Sequence, residues 1–103
     1  MENKQDYIAR VQTAVQHLHN CGAQWLRTVS VHEVFKGKTV WKGDVEVFSI
    51  TGHPKTHYAY AWAHLDGKND DKTRFVAVLE IPPVTNAKTA VQASIMADGK
   101  SQV

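Results

Sequence analysis

Between Asp6 and Asn20, Ile8, Val11, Val15 and Leu18 recur at helical spacing while Gln12, Gln16 and His19 turn away, which predicts an amphipathic helix. Asn3 or Asp6 can cap its start, and Cys21-Gly22 offers the left-handed residue that ends many helices. The period then changes to two. From Ala23 to Lys36, Trp25, Val29, Val31 and Phe35 share one face, opposed by Gln24, Thr28, Ser30 and His32. Lys36-Gly37-Lys38 reads as a tight turn into a second strand starting near Thr39, with Trp41, Val45 and Val47 on one side and Asp44 and Glu46 on the other. Phe48 and Ile50 break that parity, so either a bulge or burial of both faces is expected there.

Gly52-His53-Pro54 links to a third strand, His57 to Leu65, which alternates Tyr58, Tyr60, Trp62 and His64 with Ala59, Ala61 and Ala63. Asp66 to Lys72 is a polar hairpin loop, and a fourth strand, Thr73 to Ile81, stops at Pro82-Pro83. Thr85 or Asn86 can cap a final helix carrying Ala87, Val91 and Ile95, which ends at Asp98-Gly99. The short links favour an antiparallel meander. The expected fold is a single α+β domain over 1–103, two-layer, with the order helix, four strands, helix. Its helices share one sheet face or flank the sheet. A strongly curled sheet wrapped around a helix is the alternative.

Composition changes this picture little. The hydrophobic share is 43% and the charged share 21%, within the range of globular domains. A net charge of +2, with the basic residues scattered, makes no case for nucleic acid, and Asp44, Glu46, Asp66, Asp70 and Asp71 would oppose a phosphate backbone. The one cysteine, Cys21, can form no internal disulfide, and no apolar run reaches spanning length. A cytoplasmic protein without membrane attachment is the expectation.

Candidate chemistry gathers on the third strand. Its row of rings with polar tips has the composition of interfaces and ligand sites. Tyr58, Tyr60, Trp62, His64, Asp44 and Glu46 are therefore the candidate interface or ligand-binding residues, provided the helices cover the alanine face. If a helix covers the rings instead, they are core, a reading of equal weight. The expected function is binding, as a homodimer, or of a small apolar or aromatic ligand in an adjacent pocket. The fourth strand offers an edge where another chain could pair. The alternative is a small enzyme or carrier in which His57 or His64 meets Asp44 or Glu46 at a pocket mouth. The histidine pairs His17/His19 and His53/His57 have no cysteine or acidic companions at metal-ligand spacing, so no metal and no cofactor are expected.

Overall fold

A computed structural model describes residues 3–66 and 69–101, and the side chains of 3–63 and 73–97. Helix α1 spans Lys4–His19, strands β1 to β4 span Gly22–Phe35, Lys38–Thr51, Tyr58–Asp66 and Asn69–Leu79, and helix α2 spans Ala87–Ser101. Asn3 caps α1, its Oδ1 accepting from the Asp6 amide at 2.8 Å. The other end closes one residue earlier than expected. Asn20 takes the left-handed conformation (φ 50°, ψ 54°) and its amide donates to the Gln16 carbonyl, while Gly22 opens β1. Asparagine is the non-glycine residue that tolerates this geometry best. At α2, Asn86 Oδ1 accepts from the Thr89 amide at 2.9 Å, and Thr89 Oγ1 accepts from the Asn86 amide at 3.0 Å, a reciprocal cap.

The four strands form one antiparallel sheet in the order β1-β2-β3-β4, the expected meander. Lys36 (φ 53°) and Gly37 (φ 77°) make a two-residue turn of the twist that suits a hairpin, with Phe35 paired to Lys38. The last hairpin is tighter than expected: β4 starts at Asn69, which pairs with Asp66, and within the former loop Gly67 and Lys68 lie outside the described residues. Two irregularities interrupt the β1–β2 ladder. One, at Leu26, changes the reading of β1: Trp25 pairs with Phe48 but Arg27 with Val47, so Trp25 falls on the face opposite Val29 and Val31 rather than beside them. At Phe48 and Ile50 the broken parity reflects burial of both faces, since β2 is buried without interruption from Val45 to Phe48.

Both faces are buried because the helices flank the sheet. Val11 and Val15 of α1 pack with Phe48, Ile50, Ala59 and Ala61. Ala87, Ala90 and Val91 of α2 pack with Val31, Val45, Val47, Tyr60 and Trp62 on the opposite face. The packing is complementary in size. The alanines of β3 admit the valines of α1, and the rings of β3 fill the space left by the alanines of α2. Each fully buried valine contributes on the order of 1.5–3 kcal/mol. Among the described residues no helix is long and apolar enough to cross a membrane.

Candidate functional site: the cleft between the two hairpins

Strands β2 and β3 pair only from Ser49↔Tyr58 to Glu46↔Ala61, although β2 runs on toward Lys38 and β3 to Asp66. Past Glu46 each strand keeps its outer partner, β1 or β4, and loses its inner one. The sheet therefore splits into two hairpins. Backbone donors facing the split need other partners. The Ala63 amide finds one in the Tyr7 hydroxyl of α1, at 3.0 Å. The remaining space is a cleft of about 290 Å³ lined by Lys4, Tyr7, Trp41, Lys42, Gly43, Asp44, Glu46, Trp62 and Ala63. That volume is at the small end for ligand sites.

Glu46 forms the floor and is only 1% exposed. Its Oε1 accepts from the Trp25 indole Nε1 at 2.9 Å and from the Thr28 hydroxyl at 2.6 Å. The Leu26 bulge makes this possible, because it turns Trp25 onto the face that carries Glu46. Among the described residues Glu46 has no ion-pair partner, so both donors that hold it are neutral. Removing a carboxylate from water is costly unless hydrogen bonds replace its hydration, and here two do so on one oxygen. Asp44, one turn of the pleat further out, accepts from Ser30 Oγ at 2.9 Å.

The walls are aromatic. Trp41 and Trp62 meet edge to face with centroids 5.4 Å apart, within the favoured range for ring pairs. The Trp41 ring folds over its own strand. A Cβ at Gly43 would stand 3.2 Å from its Cη2, so glycine permits the approach. Glu46 at the floor, Asp44 at the rim and two indoles at the walls offer acceptors and flat apolar surface to a compact ligand with N–H donors, while Lys4 and Lys42 in the lining limit how much positive charge it can carry.

The six candidate residues are distributed unevenly. Asp44, Glu46 and Trp62 line the cleft. Tyr58 is 44% exposed beyond its far end. Tyr60 is buried under α2, where its hydroxyl donates to Glu80 Oε2 at 2.9 Å and to the Thr85 carbonyl at 3.3 Å. Burial, with the Glu80 carboxylate beside it, pushes the Tyr60 phenol up to about 12. Tyr60 and Trp62 are thus covered by α2 within the chain, while the alanine face is covered by α1. The backbone of His64 pairs with Arg74, and its side chain lies outside the described residues. His57 is exposed in the β2–β3 link, where its carbonyl accepts from the Ile50 amide at 2.8 Å, at the opposite end of the paired segment from Asp44.

The structure adds Tyr7, Trp41, Trp25 and Thr28 to the site. Trp41 was visible as a large ring on the strand of Asp44 and Glu46. Tyr7 had no sequence signal, because its role is to meet an amide of β3. Cys21 is part of the α1-side core, and burial raises its thiol pKa, which leaves it protonated and a poor nucleophile. No cluster of three or more His, Cys, Asp or Glu among the described residues could hold a metal ion. The chain matches no protein-family model, no curated protein and no solved structure.

Proposed function

We propose that this protein is a small-ligand-binding domain whose site is the cleft between β2 and β3. The observation that carries the reading is the buried Glu46 carboxylate, held by neutral donors at the bottom of an aromatic-walled opening in an otherwise paired sheet. Both hydrogen bonds to Glu46 fall on Oε1, which leaves Oε2 as acceptor capacity for a ligand. The ligand class is a compact planar molecule with N–H donors, or an ammonium or guanidinium group. Its donors meet Glu46 and Asp44 and its body meets Trp41 and Trp62.

All three tryptophans lie at the cleft or bond to its floor, so intrinsic fluorescence reports on its occupancy. Screening small planar amines and guanidines against the intact chain should give an emission change together with a rise in melting temperature. Glu46→Gln, which keeps the shape and removes the charge, should weaken the response about tenfold or more. Binding unaffected by Glu46→Gln, or NMR shifts from every bound compound mapping away from the cleft, would overturn the assignment.

A further inference from the structure

The outer edge of β1 has no strand beside it among the described residues, and its sequence is complementary to itself. Only its start is covered, where the Ala23 carbonyl accepts from Gln12 Nε2 of α1 at 2.6 Å; the rest of this strand of 14 residues is an open edge. An open groove of about 330 Å³ runs along this edge beside the start of α2. Long free edges accept another strand unless charge or a bulge prevents it. The regular part of β1, between the Leu26 bulge and Glu33, carries two charges of opposite sign, Arg27 and Glu33, placed symmetrically about Ser30.

We propose that a second copy of this chain docks on this edge, antiparallel and centred on Ser30. Arg27 of each copy then faces Glu33 of the other, Val29 faces Val31, and Ser30 faces Ser30. A two-fold axis repeats every contact, so one complementary pair becomes two ion pairs. Side-chain direction agrees with this register. Arg27 is opposite Val47, on the α2 side of the sheet, and Glu33 is on the same side, where its Oε1 accepts from Gln92 of α2 at 2.7 Å. Directly opposed residues in an antiparallel ladder point to the same side, as the pairing requires. The ends of the edge fit as well. Leu26 and Val34, 40% and 56% exposed, stand opposite each other in this register, whereas Trp25, turned to the α1 face beyond the bulge, takes no part. The occupant is a second copy because the Arg27 and Glu33 charges match themselves under a two-fold axis, an arrangement an unrelated extended peptide does not share.

Charge reversal and rescue test the register. Sedimentation of the intact chain at micromolar concentration should give a dimer. Arg27→Glu places like charges together twice and should raise the dimer Kd about tenfold or more, as should Glu33→Arg. The double variant Arg27→Glu/Glu33→Arg should restore association. In a Cys21→Ser background, Ser30→Cys should give an oxidised disulfide dimer, because opposed Cα atoms sit within disulfide reach, whereas His32→Cys should not. A monomeric wild type, single reversals that leave the dimer unchanged, a double variant that fails to re-associate, or no cross-link at position 30 would each overturn the proposal. Circular dichroism of every variant separates loss of pairing from loss of fold, and the Ser30→Cys cross-link decides the matter if a reversal fails to fold.

Discussion

The indole of Trp25 donates to the carboxylate of Glu46 at 2.9 Å, and it does so only because an extra residue in β1, Leu26, turns it to the face where Glu46 is buried. Thr28 donates to the same oxygen at 2.6 Å. The two sides of this contact are not equivalent. Deleting a donor leaves a buried charge less satisfied, whereas deleting the charge leaves donors that can turn to water, since Trp25 is 39% exposed. Thr28→Val should therefore cost about 1.5–3 kcal/mol, and Glu46→Gln about 1 kcal/mol or less, because the amide oxygen still accepts both bonds. Urea denaturation of the two variants checks the ordering. A larger loss from Glu46→Gln would show that the carboxylate has another strong partner.

Tyr7→Phe tests the way the split in the sheet is closed. The substitution removes the acceptor of the Ala63 amide and leaves the shape of α1 unchanged. A part-buried amide without a partner costs about 1–3 kcal/mol. Hydrogen exchange at Ala63 should accelerate by more than at Ala61, which keeps its place in the β2 ladder. Equal acceleration along β3 would mean that the phenol acts by packing alone.

Much of the fold was legible in the sequence because period and turn chemistry agree along it. The Ala59-Tyr60-Ala61-Trp62 alternation fixes the two faces of β3 without any tertiary information. The tight turn at Lys36-Gly37 was clear too, whereas on β2 the alternation left open whether Phe48 and Ile50 mark a bulge or burial of both faces. The side of Trp25 was not legible, because a bulge is one residue of slip that no periodicity announces. The covered face of β3 was not legible either, because both faces are covered: the valines of α1 meet the alanines of β3 on one side, and the alanines of α2 meet its rings on the other. The cleft depends on where β2–β3 pairing stops. That is a property of two strands together, so of the five candidate residues with described side chains Asp44, Glu46 and Trp62 fell within it and Tyr58 and Tyr60 did not.

Tyr60 predicts an alkaline limit to stability. Its phenol titrates at about 12 in the fold against an ordinary value of 10.0, because burial disfavours the phenolate and Glu80 accepts the hydroxyl hydrogen. A phenol with a raised folded pKa contributes its stabilisation in full below pH 10 and loses it as the pH climbs toward 12. Tyr60→Phe should be less stable than wild type at neutral pH by about 1–2 kcal/mol, and the gap should close through that window. In the ultraviolet difference spectrum, the step near pH 12 should be missing from the variant. A gap that stays constant with pH would place the contribution of Tyr60 in packing and not in its hydroxyl.

Gly43→Ala separates the shape of the cleft from the stability of the sheet. The new Cβ would lie 3.2 Å from the Trp41 ring, closer than ordinary contact, and Trp41 is only half-buried, so the ring can yield. That strain acts against a gain: alanine loses less backbone entropy than glycine on entering a strand, a difference of about 0.5–1 kcal/mol. The two effects nearly offset each other, and the melting temperature should move little. The ring, in contrast, must shift against Trp62, its edge-to-face partner at 5.4 Å. Near-UV circular dichroism from the coupled indoles should weaken and acrylamide quenching of tryptophan emission should rise. An unchanged near-UV spectrum would show that Gly43 is not what seats Trp41 in the wall of the cleft.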